Sequence, residues 1–384
     1  MPIVKLSELL GRRESADFLR SVVAGGRYAN AYLLLGPAGV GKGTAALSFA
    51  RAILCEGRPG AAADDACGVC AACRKAADLQ HPDLKFLFPV SGEEDKLEKT
   101  IADMLQAVRE DPLYVFVYER YASIRLSMTR ELLRELAYRP FEAERRVVVV
   151  RDADRMRQDQ YSALLKSLEE PGASTVWVLT TSRPSLLPAT IHSRCQRVRF
   201  SPLAESVIRD FLASRAEVDR GNAALLAAIA GGSLGRALVL RGLDANAERN
   251  AALELLEPAI TGKPDELWRA VQAFGGFRSG GREKLRRLVE FHQLWLRDLL
   301  RARYGAASQE AAAGGGRAAE LRRQAARLSP AEIRRRLLVL EEMLRTIEGN
   351  VSPDLAMFSA ISRVAGVRFG EESWPRHPTA RWDY

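Results

Sequence analysis

The fold is indicated first by Ala31-Tyr-Leu-Leu-Leu-Gly-Pro-Ala-Gly-Val-Gly-Lys42, an apolar run that leads directly into a glycine-rich turn ending in lysine. A strand, a turn of this kind and a following helix form the context that a phosphate-binding loop requires. Glycine lets the backbone turn tightly, so several N–H groups can converge on one phosphate, and lysine adds a point charge. We therefore predict a nucleotide phosphate loop built from Gly36, Gly39, Gly41 and Lys42.

The magnesium ligands of such a loop are missing. The residue after the lysine is normally Ser or Thr, whose hydroxyl coordinates magnesium, but this chain has Gly43. Thr44 follows and is a secondary candidate, because one residue along a helix rotates a side chain by about 100°. The apolar run Val147–Val150 ends in Arg151 and Asp152, where such ATPases carry a magnesium-binding Asp and a catalytic Glu. The sequence thus predicts little ATP hydrolysis and makes bound ATP and magnesium doubtful.

Around this loop, short apolar runs alternate with helical stretches over the first 201 residues. Such alternation predicts an α/β domain with a parallel sheet covered by helices on both faces. The predicted strands are Ala31–Leu35, Leu84–Phe88, Val147–Val150, Thr175–Thr180 and Gln196–Phe200. The predicted helices are Leu10–Ala24, Gly41–Leu54, Thr129–Leu136 and Gln160–Leu168. Residues 91–122 interrupt the pattern with a helix, Leu97–Arg109, and an aromatic run, Tyr114–Tyr121, which predicts an insertion at the sheet edge.

Helical patterns alone follow Pro202. Residues 202–244 contain three short helical stretches and predict a small helical lid. Residues 245–370 contain longer amphipathic stretches and predict a second, all-helical domain, with a flexible loop at Gly305–Gly316. The last segment, 371–384, has no periodicity and is predicted to be a tail.

Four of the five cysteines, Cys55, Cys67, Cys70 and Cys73, lie close together in the sequence. Zinc prefers four tetrahedral ligands, and closed all-thiolate sites of this kind are structural. We therefore predict one zinc ion that ties the loop at 55–73 to the α/β domain. Three alternatives stay open at this point: an iron–sulfur cluster, a redox Cys-x-x-Cys pair, and unligated thiols.

Composition restricts the class of protein without defining it. The net charge is +9 and 47% of residues are apolar, which suits a globular protein with substantial cores. Much of the excess arginine is interleaved with glutamate in the C-terminal third, so solvated helix faces explain it as well as an acidic partner does. We predict a cytoplasmic location without membrane association, because the apolar runs are short and the N-terminus lacks a signal-peptide pattern.

Five stretches together resemble the clamp-loader branch of the AAA+ ATPases. They follow that family's order over roughly residues 5–240, and the cysteine cluster combined with Ser-Arg-Cys is the specific part of the resemblance. They are the phosphate loop, Cys67-Gly-Val-Cys-Ala-Ala-Cys73, His81-Pro-Asp83, Leu164-Leu-Lys-Ser-Leu-Glu-Glu-Pro171 and Ser193-Arg-Cys195.

The resemblance implies an assembly of subunits that loads a sliding clamp onto primed DNA, with the helical domain as a collar for oligomerisation. It implies that Arg194 acts in trans as an arginine finger on a neighbour's ATP, and that the partners are gamma/tau and delta subunits. Gly43 and Arg151 favour a non-motor subunit. Two departures are the long insertion and Arg236, which is displaced by one position from the family's second-sensor arginine. Two alternatives remain: an active gamma/tau-type ATPase, and a zinc-bearing DNA-binding scaffold.

Overall fold

The computed structural model describes residues 4–11, 13–57, 64–91, 96–111, 114–117, 122–157, 160–161, 164, 167, 174–261, 269, 281–304, 318–348 and 353–365. The chain divides into two compact units. The first comprises residues 1–212 and 230–239, and the second comprises residues 213–229 and 240–384.

The first unit is built on a five-stranded sheet in the order β2-β3-β4-β1-β5. Every strand pair is parallel. The three central strands are buried except for one end residue each of β1 and β4, because both faces of the sheet are covered. The predicted α/β class is confirmed, and each predicted strand is present to within one residue at either end. The strands are β1 Ala31–Leu35, β2 Leu84–Leu87, β3 Arg146–Val150, β4 Thr175–Thr181 and β5 Gln196–Arg199.

Helices accompany these strands, and those that pack on the sheet cover both of its faces. They are α1 Arg13–Gly25, α2 Lys42–Leu54, α3 Ala71–Ala77, α4 Leu97–Glu110, α5 Leu126–Leu136 and α6 Ala189–Arg194. Successive side chains of a strand point to opposite faces, so Leu34 joins the core under α1 and α2 with Phe49. Leu33 joins the core under α5 and α6 with Trp177.

The segment predicted as an insertion follows β2, which is an edge strand of the sheet. Val90 and Ser123 form an antiparallel bridge at its base. Between them, α4 supplies Leu97 and the aromatic run supplies Phe116 to a separate small core with Phe88. The described part of the insertion therefore has its own small core. The predicted aromatic run is described over residues 114–117.

Asp83 fixes the loop that precedes β3. Its carboxylate is buried and accepts backbone hydrogen bonds from Phe141, Glu142 and Ala143 at 2.6, 2.7 and 2.9 Å. Burial by itself raises the pKa of this carboxyl, but the three N–H donors outweigh it and lower the pKa below its ordinary value. The stabilisation is therefore present above the unfolded pKa, about 3.9, and is lost as the pH falls through the folded pKa.

We expect Asp83→Asn to lower the free energy of unfolding at neutral pH by about 2–4 kcal/mol, because hydrogen bonds to a charged group are stronger than those to a neutral one and one amide nitrogen would face N–H donors. Urea unfolding measures the change. Glu144→Gln, an exposed acid in the same loop, is the matched control and should change stability little. The wild-type advantage over Asp83→Asn should shrink below about pH 4. A constant difference down to pH 2 would contradict this account.

The remaining helices lie where apolar residues recur at helical spacing in the sequence. They are α7 Glu205–Arg215, α8 Arg220–Ala230, α9 Leu234–Leu240, α10 Ala245–Thr261, α11 Gly281–Arg303, α12 Ala318–Arg327, α13 Pro330–Glu348 and α14 Pro353–Ala365. In the second unit, α10 to α14 bury one core that includes Leu299, Ile333 and Ile361, which confirms a helical C-terminal region. Helix α14 was not predicted. Within the described ranges, no helix is long and apolar enough to cross a bilayer.

Candidate functional site

The phosphate loop connects the end of β1 to the start of α2. Gly39 and Gly41 have φ angles of 70° and 91°, a left-handed conformation that glycine adopts without the steric cost of a Cβ. Gly39 also needs its lack of a side chain, since a Cβ there would lie 2.2 Å from Ser233 Oγ. The predicted cradle residues Gly36, Gly39, Gly41 and Lys42 therefore lie together in the turn between β1 and α2.

The ammonium group of Lys42 forms hydrogen bonds within its own chain. Its Nζ donates to the carbonyl oxygens of Gly36 and Pro37 at 2.7 and 2.6 Å, and to Ser182 Oγ at 3.1 Å. The side chain is 5% exposed. An ammonium group has three donors, so these contacts use its full donor capacity within the first unit.

Gly43 lies against Arg151. A Cβ on Gly43 would lie 2.4 Å from Arg151 Nη1. The guanidinium thus occupies the space beside the second residue of α2, where a Ser or Thr hydroxyl and its magnesium ion would sit in an active loop. A guanidinium has no lone pair to donate to a metal. Thr44 lies one residue further along the helix and is half-buried.

The residues that follow β3 are tied to the end of β4. Asp152 has a left-handed backbone, with φ 48°, and its N–H donates to Thr180 Oγ1 at 2.9 Å. The Asp152 carboxylate lies 3.4 Å from Arg151 Nε. The Asp154 side chain is 3% exposed, and its carboxylate accepts from Thr181 Oγ1 at 2.7 Å. The acidic residues after β3 are therefore used in contacts within the chain.

The start of α9 covers the outer side of the phosphate loop. Gly235 N–H donates to the Gly39 carbonyl at 2.9 Å. A Cβ on Gly235 would lie only 3.0 Å from the Cα of Gly39. Arg236 follows in the same helix, half-buried, and its backbone N–H donates to Ser233 Oγ.

The four clustered cysteines converge on one point. Their Sγ atoms all lie within 4.8 Å of one another. Cys55 and Cys70 are 4.0 Å apart, and Cys67 and Cys73 are 3.9 Å apart. A tetrahedron with zinc–sulfur bonds of about 2.3 Å has edges of about 3.8 Å. The sulfur positions therefore fit a tetrahedral zinc ion.

Backbone N–H groups support this cluster. Cys67 N–H points to Cys55 Sγ, Cys70 N–H to Cys67 Sγ, and Cys73 N–H to Cys70 Sγ, at 3.3 to 3.4 Å. Burial raises the pKa of Cys67, but the N–H groups of Val69 and Cys70 outweigh it and hold the pKa at about 6. Thiolates are the form that binds metal. Burial raises the pKa of Cys55 and Cys73, so a metal ion bound there would displace the protons of these two thiols.

The cysteine loop also holds the N-terminal segment. Asp65 accepts the backbone N–H of Leu6 at 3.2 Å and that of Ser7 at 2.9 Å. Its neighbour Asp64 pairs with Arg20 of α1 at 2.6 Å. Because Cys55 is the C-cap residue of α2, the cysteine loop links α2, the N-terminal segment and α1.

Arg194 is the last residue of α6 and is exposed. Its Nη1 donates to the Thr190 carbonyl at 3.2 Å. Cys195 beside it is buried, and burial raises the pKa of its thiol to about 11, which keeps it protonated and unreactive. His192 Nε2 lies 2.8 Å from the Pro184 carbonyl, so this ring has a structural contact.

Some predicted residues were not brought into these sites. His81 is buried and accepts the Asp83 N–H through Nδ1 at 3.1 Å, which gives it a structural contact. Lys166 and Glu169 lie outside the described residues, as does most of Leu164–Pro171. Sequence reasoning missed Ser182 as a partner of Lys42. It had singled out Gly43 and Arg151 but missed that the Arg151 side chain packs against Gly43.

Comparison with known proteins gives a consistent family. A family model described as "DNA polymerase III, delta subunit" matches residues 11–204. The chain is 34% identical over 256 residues to "DNA polymerase III subunit delta'" of Pseudomonas aeruginosa, covering 64% of this chain and 68% of that protein. It is 32% identical over 187 residues to the Bacillus subtilis protein of the same name, covering 48% and 46%.

Relatives with a different subunit name also match. "DNA polymerase III subunit tau" of Bacillus subtilis is 26% identical over 271 residues, covering 69% of this chain and 42% of that protein. The crystal structure of a "dna polymerase iii, gamma subunit-related protein" from Thermotoga maritima aligns with 91% of this chain and 98% of its own, at 17% identity and a TM-score of 0.40. The family model covers half of the chain and the Pseudomonas relative is matched over two thirds of its length, so the chain belongs to the DNA polymerase III delta subunit family.

Proposed function

We propose that this chain is a delta-prime-type subunit of the bacterial DNA polymerase III clamp loader. In this role it helps load the sliding clamp on primed DNA and supplies an arginine finger to a neighbouring ATPase subunit. Its partners would be the gamma/tau and delta subunits, the clamp, and primed DNA reached through the assembled complex in the cytoplasm. The observation that carries the non-motor assignment is the Arg151 guanidinium against Gly43, in the space of the magnesium ion.

Two features of the phosphate loop support the loss of hydrolysis. Phosphoryl transfer in such sites depends on magnesium to bridge and neutralise the phosphates. Gly43 offers no hydroxyl and Arg151 brings a positive charge to the place of a metal ligand. Lys42, the charge that would meet the terminal phosphates, is bonded to Gly36, Pro37 and Ser182. A nucleotide would have to displace these contacts before it gained any.

The contribution to a neighbour's site rests on Arg194. A finger must reach beyond its own subunit, and Arg194 is exposed at the end of a short helix just before the edge strand β5. A planar guanidinium with fixed charge suits the charge that develops on a transferred phosphoryl group. The proposed division of the chain is an AAA+ domain at 1–201, a lid at 202–244 and a helical collar at 245–370.

The cysteine cluster is proposed to hold one zinc ion through Cys55, Cys67, Cys70 and Cys73. Bound there, zinc would act as a structural crosslink and take no part in phosphoryl transfer. The sulfur distances fit tetrahedral coordination.

We expect the purified chain to release no phosphate from ATP above background, because both protein ligands of magnesium are replaced. The measurement is a steady-state phosphate-release assay on the chain alone and on the complex reconstituted with gamma/tau and delta subunits. The complex should hydrolyse ATP and the chain should not. Turnover by the isolated chain at about 1 s⁻¹ or more, a typical ATPase rate, would identify an active gamma/tau-type subunit instead.

Lys42→Ala provides a separate test of the same site. We expect a lower melting temperature, since three buried hydrogen bonds are lost. ATP turnover of the reconstituted complex, measured well below that melting temperature, should change less than about twofold. A loss of tenfold or more with the complex still assembled would show that the loop binds nucleotide during clamp loading.

A further inference from the structure

We propose that the insertion supplies a lock for the phosphate loop: Phe116 holds the Arg151 guanidinium against Gly43, so that a side chain of this protein takes the place of the magnesium ion. The loop is then kept folded without nucleotide. This inference concerns contacts inside the first unit, and its tests use the isolated full-length chain, so its failure leaves the proposed role of Arg194 unaffected.

The first step is the fit between Gly43 and Arg151. A Cβ at position 43 would approach Nη1 to 2.4 Å and Cζ to 3.0 Å, distances that no unstrained side chain tolerates. Any residue other than glycine would therefore push the guanidinium away from α2. Gly43 lies within the right-handed helix α2, so backbone conformation does not require glycine here. Glycine is required at position 43 because the Arg151 side chain fills the space that a Cβ would occupy.

The second step is the aromatic ring on the other side. Arg151 Cζ lies 4.1 Å from the centroid of the Phe116 ring, well inside the range of a cation–π contact. Phe116 is 8% exposed, and its ring packs against Phe88 and Tyr114 at centroid distances of 5.5 and 5.1 Å. The ring is thus fixed by the core of the insertion and cannot turn away from the guanidinium freely.

The third step is charge. Asp152 places a carboxylate oxygen 3.4 Å from Arg151 Nε, so the guanidinium has an anion on one edge, an aromatic face beneath it and α2 beside it. The Arg151 side chain is 20% exposed, which leaves the pair only partly screened by water. A second cation, the Lys42 ammonium group, donates hydrogen bonds to the carbonyl oxygens of Gly36 and Pro37. The loop therefore carries its own two positive charges.

A function for the insertion follows. In an active phosphate loop, metal and nucleotide hold the loop and the end of β3 together. Here the β3 end reaches the start of α2 through Arg151, and Phe116 keeps Arg151 in position. A nucleotide and its metal ion would bind and dissociate, whereas the contact of Phe116 with Arg151 is permanent. A subunit built in this way keeps one conformation around the loop through every cycle of its neighbours.

The test is Gly43→Ala in three backgrounds, read as the melting temperature of the full chain. Alanine in place of glycine in a helix normally stabilises, which would raise the melting temperature by about 1–3 °C for a unit of this size. In the wild-type background the added methyl group displaces the guanidinium, so the melting temperature should stay unchanged or fall. In the Arg151→Ala background the normal rise should return. Phe116→Leu keeps apolar volume and removes the aromatic face. In that background, Gly43→Ala should restore part of the rise in melting temperature.

Each outcome decides the proposal. Equal effects of Gly43→Ala in the wild-type and Arg151→Ala backgrounds would overturn it. If Arg151→Ala fails to fold, the comparison between wild type and Phe116→Leu gives the same decision. A second measurement adds ATP to the wild-type chain with magnesium or in a buffer to which no magnesium is added. The melting temperature should be the same in both, and a magnesium-dependent rise of several degrees would show a metal ion in the space assigned to Arg151.

Discussion

Replacing Arg194 with alanine is expected to lower ATP hydrolysis by a reconstituted clamp loader while the altered chain still folds and assembles. If the chain has no working site of its own, its chemical contribution is made to a neighbour. Arginine fingers supplied in trans are worth about 10³–10⁵ in rate at the site they serve. The loss for the whole assembly should be smaller, because only one of several ATP sites would lose its finger.

The structure explains why folding should be unaffected. Arg194 is exposed, and its guanidinium contacts the Thr190 carbonyl and Ser193 Oγ at 3.2 and 3.5 Å, at the surface of α6. Surface substitutions of this kind change stability by about 0.5 kcal/mol or less. A fall in activity can therefore be assigned to the missing guanidinium once assembly has been checked by size-exclusion chromatography.

The measurement follows ATP turnover and clamp loading with primed DNA and clamp present and with only this subunit altered. Arg194→Lys should rescue poorly, since an ammonium lacks the planar, forked donors of a guanidinium. Arg209→Ala, at another exposed arginine of the first unit, is the matched control and should behave as wild type. Wild-type turnover with both Arg194 variants would reduce this residue to an ordinary surface charge.

The sheet could be predicted because its signal is local. Leu33 and Leu34 enter different cores, as the twofold period of a strand requires. The run Val147–Val150 of β3 is apolar because helices cover the sheet on both sides. The phosphate loop was visible for the same reason, since turn, spacing and lysine lie within a dozen residues. Cys55, Cys67, Cys70 and Cys73 were found from spacing, and the structure brings their sulfur atoms together.

Contacts between distant segments could not be read in this way. The packing of Phe116 on Arg151 joins an insertion to the end of β3, and no local pattern specifies which aromatic residue of the run faces inward. The use of Asp83 to hold residues 141–143 likewise depends on two segments 58 or more residues apart. Helix α14, by contrast, had a signal: Pro353 suits a first helical position, and apolar residues recur at helical spacing from Ala356 to Val364.

Cys70→Ser is expected to remove the metal and to destabilise the first unit. Purified wild-type protein should contain about one zinc per chain, because four thiolates match one tetrahedral site. The substitution is well matched to its purpose. Cys70 is the N-cap of α3, where its sulfur accepts the Cys73 N–H at 3.3 Å, and serine is a preferred N-cap residue. The helix start is thus preserved while one metal ligand is lost.

The destabilisation should extend beyond the cysteine loop. Structural zinc contributes about 10 kcal/mol or more to the folding of small zinc-finger peptides, and a larger domain with its own core should lose only part of that. The loop segment at Asp64 and Asp65 anchors α1 and the backbone of Leu6 and Ser7. Releasing the metal should therefore increase hydrogen exchange at residues 4–9 as well as in the loop, together with a fall in melting temperature of at least about 4 °C.

Elemental analysis, hydrogen exchange and thermal unfolding with and without a chelator decide the matter together. EDTA should lower the melting temperature of wild type towards that of Cys70→Ser and should leave the variant unchanged, since the variant has no metal to lose. Cys195→Ser is the control: that thiol is buried but stands apart from the cluster, so it should cost stability while zinc content stays near one. Iron with a visible absorption band would assign the four thiolates to an iron–sulfur cluster. Metal-free wild-type protein with the same melting temperature as Cys70→Ser would leave them as unligated thiols that pack against one another.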